Sequence, residues 1–112
     1  MRDAPTFTAY RDHPAFQSNL APIHDEMTSV PAQIVHGSLP PRLSGTLMRI
    51  GPNPRFPPPP HAEHHWFLGD GMMHGIRIEG GEARYSNRWV RTAKFRAEEA
   101  AGRALFGGWG YR

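Results

Sequence analysis

Seven histidines (His13, His24, His36, His61, His64, His65 and His74) are the side chains of this 112-residue chain most suited to holding a metal. Imidazole favours zinc or Fe(II), and such a site takes three or four ligands. Four of the seven gather in and just before the densest stretch, His64-His65-Trp66-Phe67-Leu68-Gly69-Asp70-Gly71-Met72-Met73-His74-Gly75. Their spacing matches no ligand pattern, and the adjacent His64 and His65 face opposite ways on a strand. Loop or core histidines with hydrogen-bonded rings are the expectation. Asp70, between two glycines, can accept backbone N–H groups and pin a turn, or it can orient a histidine ring. The turn role is expected. No Ser-His-Asp arrangement, phosphate-cradling glycine loop or catalytic carboxylate pair can be built. The expected catalytic, cofactor-binding and metal residues within the chain are therefore none.

The elements that position this stretch are short and extended. Residues 1–31 scatter Phe7, Tyr10 and Phe16 among prolines and acids without a sustained period, and read as an extended arm along a larger body. Residues 33–37 suggest a short strand. Pro40-Pro41 forbids a helix, and Gly45 then opens the β-prone Thr46-Leu47-Met48-Arg49-Ile50, which stops at Gly51-Pro52-Asn53-Pro54. Four prolines at 57–60 predict a rigid polyproline II loop. From His74 to Arg91 two alternating arms flank Gly80-Gly81, which predicts a hairpin with Ile76, Ile78, Tyr85 and Trp89 facing inward. Thr92 caps a helix expected over 93–105, with Gly107-Gly108 as its stop.

Composition narrows the class. Hydrophobic residues make up only 38% of the chain, and it carries 12 glycines and 12 prolines, which excludes a helical bundle. With no cysteine there is neither a disulfide nor a thiolate metal site, in keeping with a cytoplasmic protein. The N-terminus leads into no apolar signal region, and no run is long enough to span a membrane. The net charge of +3 is concentrated in the last third, on alternating positions like those of a solvated sheet face.

Gly45-Thr46-Leu47-Met48-Arg49-Ile50-Gly51-Pro52-Asn53-Pro54, together with the stretch 64–75, resembles the N-terminal signature of the carotenoid cleavage oxygenases. Arg88-Trp89-Val90-Arg91-Thr92 and Arg96-Ala97-Glu98-Glu99 follow in the family's order. The resemblance covers about residues 30–112. It implies an all-β fold: an N-terminal arm (1–31) and, over 32–112, about one blade of a seven-bladed β-propeller, with one short helix near the C-terminus. It also implies an Fe(II)-dependent dioxygenase that cleaves a conjugated double bond of a carotenoid, apocarotenoid or stilbene with O₂. Four histidines hold the iron in that family, and the resemblance places all of them beyond residue 112. His74 matches a signature position that is not a ligand. The chain thus reads as an inactive opening portion, holding no iron by itself and marginally stable alone. Apolar substrate and O₂ are the partners of the parent enzyme, with peripheral membrane contact allowed and no nucleic acid.

One alternative from the residues themselves is a basic β-rich module that binds single-stranded nucleic acid through Arg84, Arg88, Arg91, Tyr85 and Trp89. Strand alternation puts Tyr85 and Trp89 on the face opposite Arg84 and Arg88, which weakens it. A small histidine-based metal binder is the other alternative, and the spacing does not support it.

Overall fold

The computed structural model describes residues 17–57 and 68–106. Its elements are a 3₁₀ turn at Ser18–Leu20, strands β1 (Val30–Pro31), β2 (Gly45–Pro52), β3 (Gly71–Glu79) and β4 (Glu82–Trp89), and helix α1 (Ala93–Ala101). The chain divides into two compact units.

One unit comprises Asp25–Gly51 and Gly71–Val90. It carries a four-stranded sheet in the order β1-β4-β3-β2. The hairpin β3–β4 is its centre, antiparallel and in register from Met72 opposite Trp89 to Glu79 opposite Glu82. Gly80 and Gly81 make the turn with φ of 59° and 80°, a left-handed conformation that glycine adopts at no steric cost. Ile76 stands opposite Tyr85 and Ile78 opposite Ala83, on the same face as Met72 and Trp89. Met72 and Trp89 are buried, and Ile76, Ile78 and Tyr85 are half-buried. The hairpin and its inward face are as the alternation predicts, although β3 starts three residues earlier, at Gly71.

The first strand departs from expectation. Val30 and Pro31 pair with Tyr85 and Arg84, and the Ala32 N–H donates to the Ala83 carbonyl at 2.9 Å. Residues 33–37 form no strand, and Val35 is 90% exposed. The reason is geometric. Antiparallel pairing runs toward the start of β4 and reaches its end at Glu82, so residues after 33 have no strand to pair with.

The other unit comprises Met1–His24, Pro52–Asp70 and Arg91–Arg112. Its helix α1 begins as expected, with the Thr92 side chain accepting the Phe95 N–H at 3.1 Å. Phe95 is buried and is the unit's apolar centre among the described residues. The helix ends four residues before the predicted Leu105. Gly102 takes φ of 70°, and the N–H groups of Gly102 and Arg103 both reach back to the Glu98 carbonyl. A left-handed glycine with these backward bonds closes a helix wherever it falls, so Gly102 and not Gly107-Gly108 is the stop. Residues 58–60 of the predicted polyproline segment lie outside the described residues, as do Trp66 and Phe67.

Candidate functional site

In the unit that contains α1, the two signature motifs meet. Asn53 holds residue 23 with both ends of its amide: its Oδ1 accepts the Ile23 N–H at 2.7 Å and its Nδ2 donates to the Ile23 carbonyl at 2.8 Å. The Asn53 N–H in turn donates to the Asp70 carbonyl at 2.6 Å. The buried Asp70 carboxylate accepts the Arg55 N–H through Oδ2 at 2.9 Å and the Lys94 ammonium through Oδ1 at 3.0 Å. Lys94 also meets Glu98 Oε1 at 3.0 Å, one helical turn along α1. Glu98 spends its other oxygen on the Leu105 and Phe106 N–H groups, at 2.7 and 3.4 Å. Gly69 allows the two motifs to approach. A Cβ there would lie 2.9 Å from Pro54 Cδ and 3.1 Å from both Asn53 N and Pro52 Cβ.

Burial alone would lower the Lys94 ammonium. The hydrogen bonds and charges of Asp70 and Glu98 outweigh it and hold the group above the usual lysine range. Lys94 is thus a fixed cation and not a nucleophile. Both carboxylates are committed to backbone N–H groups and to Lys94. The cluster welds loop, signature and helix together and leaves no general base.

In the sheet unit, His74 Nδ1 lies 2.5 Å from the Tyr85 hydroxyl, with the two rings stacked at 5.9 Å between centroids. Partial burial, and then the charge of Arg49, push the His74 imidazole below its ordinary value. With its proton on Nε2, the neutral ring would accept the tyrosine O–H at Nδ1. Asn87, fully buried, takes hold of the segment before β1. Its Oδ1 accepts the Met27 N–H at 2.5 Å, its own N–H donates to the Met27 carbonyl at 3.0 Å, and its Nδ2 donates to the Asp25 carbonyl at 3.2 Å.

The sheet's opposite face holds a cavity of about 320 Å³ lined by Met48, Met73, Arg77, Arg84 and Arg88 among others. The arginines are largely spent on the protein itself. Arg84 donates to the Ser29 carbonyl at 2.6 Å, and Arg88 donates to the Met27 carbonyl and Thr28 hydroxyl and pairs with Glu26 at 3.6 Å. Arg84 and Arg88 are on the face away from Tyr85 and Trp89, as alternation requires. A nucleic-acid surface that stacks bases beside cations is not assembled here.

The histidines are not brought together. His24 and His36 are exposed, His74 is bound to Tyr85, and His13, His61, His64 and His65 lie outside the described residues. Among the described residues no three His, Asp or Glu side chains form a metal-holding group, so these residues do not fit the iron site that the resemblance implies. Asp70 pins backbone as expected, but across 15 residues, and among the described residues it meets no histidine. Sequence reasoning overlooked Lys94, Asn53 and Asn87 as anchors. For Lys94 a signal existed: it is the one lysine beside 12 arginines, four residues before Glu98.

The hairpin sheet of one unit and the capped helix of the other agree with comparison to known proteins. The structure resembles the lignostilbene dioxygenase of Pseudomonas brassicacearum with a TM-score of 0.77 and 28% identity, over 94% of this chain and 21% of that one. It resembles the apocarotenoid oxygenase of Synechocystis with a TM-score of 0.65 and 31% identity, over 81% of this chain and 19% of that one. Both are β-propeller enzymes, which fits a mostly β chain with one short helix. In sequence, the chain is 49% identical to carotenoid 9,10(9',10')-cleavage dioxygenase 1 of Arabidopsis thaliana over 79% of its length. It is 41% identical to resveratrol cleavage oxygenase 1 of Chaetomium globosum over 92% of its length. Residues 20–112 match the family described as Retinal pigment epithelial membrane protein. The chain belongs to this family, the carotenoid cleavage oxygenases. It spans about one-sixth of the curated relatives: 16% of the plant enzyme and 17% of the fungal one. No helix among the described residues is long and apolar enough to cross a membrane.

Proposed function

We propose that these 112 residues are the opening portion of an iron-dependent dioxygenase that splits a conjugated double bond of a carotenoid, apocarotenoid or stilbene. In the balanced reaction one alkene and one O₂ give two carbonyl products. The match of residues 20–112 to the family carries this reading. Relatives named for both carotenoid and resveratrol cleavage support the two substrate classes. The four iron-holding histidines that the resemblance implies belong to sequence beyond residue 112. Within the chain the signature plays a structural part. In one unit Asn53 and Asp70 join the turn at residues 53–55 to α1, and in the other Asn87 secures the segment before β1 against the hairpin. The oxygen chemistry is then absent from the chain alone, and the parent enzyme works in the cytoplasm on an apolar substrate.

The test compares two proteins: the 112-residue chain and the product of the reading frame continued past the Arg112 codon. Each is given Fe(II) and O₂ with an apocarotenoid or a hydroxystilbene, and aldehyde products are measured against a metal-only control. Iron-dependent aldehyde from the longer product alone is expected. Cleavage by the 112-residue chain, or none by the longer product with either substrate, overturns the reading.

A further inference from the structure

Lys94 is the one lysine of the chain, beside 12 arginines. Its side chain is 39% exposed, so a small solute can reach it. The ammonium lies 3.0 Å from Asp70 Oδ1 and 3.0 Å from Glu98 Oε1, and those two carboxylates are only 5% and 4% exposed. Neither carboxylate is free to turn elsewhere. Asp70 Oδ2 accepts the Arg55 N–H, and Glu98 Oε2 accepts the Leu105 and Phe106 N–H groups. The three donors of an ammonium serve both acids at once.

The proposed reaction releases carbonyl products, and a conjugated aldehyde condenses with a neutral lysine amine. The ammonium gives its proton to water, the nitrogen adds to the carbonyl carbon, and loss of water leaves C=N in place of C=O. Both halves of that sequence are opposed at Lys94. Its lone pair is released only by breaking two charge-assisted hydrogen bonds. The imine carries no N–H when neutral and one when protonated, so at least one almost fully buried carboxylate oxygen loses its donor.

We propose that the Asp70–Lys94–Glu98 bridge shields the chain's one side-chain amine from the aldehydes that the parent enzyme makes, so that Lys94 forms no imine in the folded protein. The identity of these carbonyls rests on the dioxygenase reading, and the shielding rests on the geometry of the bridge. Burial favours the neutral amine, but the hydrogen bonds and charges of Asp70 and Glu98 override it. The arginines need no such bridge, because a guanidinium stays protonated.

The test adds citral or 4-hydroxybenzaldehyde, conjugated aldehydes of polyene and stilbene type, to the 112-residue chain with sodium cyanoborohydride at neutral pH. The reductant traps any imine as a stable amine, and peptide mapping by mass spectrometry reads Lys94 against the α-amino group. Lys94 should be labelled about a hundredfold more slowly in the native chain than in guanidinium chloride, the worth of two charge-assisted hydrogen bonds. Asp70→Asn and Glu98→Gln should each restore about tenfold, with circular dichroism confirming that sheet and helix are kept. Equal labelling of the native and denatured chain overturns the proposal, as does unchanged labelling in either variant that keeps its fold. Faster labelling in the native chain makes Lys94 a carbonyl-binding site and overturns it too. If both variants unfold, the native-to-denatured comparison of the unaltered chain decides. The aldehyde is supplied and neither iron nor O₂ is present, so a failure here is told apart from a failure of the dioxygenase reading.

Discussion

Asn87 holds Met27 by two hydrogen bonds across 60 residues of sequence: its side-chain oxygen accepts the Met27 N–H, and its backbone N–H donates to the Met27 carbonyl. An asparagine buried to 1% exposure on an otherwise apolar strand face is costly unless paired, and here a third bond runs from its Nδ2 to the Asp25 carbonyl. The residue serves as a latch for the chain segment that leads into β1.

Asn87→Leu should therefore destabilise the segment 25–31 far more than the hairpin itself. A buried N–H that loses its acceptor costs about 1–3 kcal/mol. Amide exchange at Met27 and Ser29 should speed up by roughly ten- to a hundredfold, while Ile76 and Ile78 change little. Equal acceleration throughout would show that the latch and the hairpin open as one.

Lys94 sets an alkaline limit. Its pKa is raised in the folded state by Asp70 and Glu98, so its contribution is fully present below the unfolded lysine value of about 10.4 and is lost as pH rises through the folded value. The urea midpoint should fall above about pH 10, and Lys94→Met should remove that limb. The substitution also leaves two buried carboxylates without their cation. At neutral pH it should cost about 2 kcal/mol, less than for a fully buried pair because Lys94 is 39% exposed.

His74 sets the opposite limit. Burial, followed by the nearby Arg49 charge, lowers its folded pKa, so the unfolded chain binds the proton more readily. The stabilisation is present above the unfolded value of about 6.5 and is lost as pH falls. The protonated ring can no longer accept the Tyr85 hydroxyl. Tyrosine fluorescence and urea midpoints between pH 7 and 5 should show the loss, and His74→Phe should flatten it. An unchanged acid limb in that variant would assign the effect to other groups.

Gly69 is required by space rather than by its φ angle. In Gly69→Ala the new methyl meets the rigid Pro54 and Pro52 rings and the Asn53 backbone, none of which is a flexible side-chain end. Overpacking of this kind costs about 1–3 kcal/mol. The variant should lengthen the Asn53–Asp70 contact, seen as faster exchange of the Asn53 amide. Gly102→Ala offers a comparison. It has open space around it but a left-handed φ, so it should fray the end of α1 at a cost of about 1 kcal/mol.

The hairpin was readable from sequence because its information is local. Two-residue alternation, a double glycine and a Thr92 cap each act within a few residues, and β2, β3, β4 and the start of α1 follow from them. The family was readable for a similar reason, since its signature is carried by contiguous residues. The partners of the polar residues were not. Asn53 meets Ile23 across 30 residues, Lys94 meets Asp70 across 24, and Asn87 meets Met27 across 60. Nothing in the neighbourhood of an asparagine says which distant backbone it will satisfy. The same limit explains the misplaced first strand. Ile34-Val35 has the stronger β composition, yet pairing is decided by where β4 ends, so Val30 and Pro31 form the strand. Residue type determined which segments extend, turn and coil. Only the tertiary structure decided which of them had a neighbour, because a buried polar group or a strand edge is satisfied by whatever the fold brings alongside it.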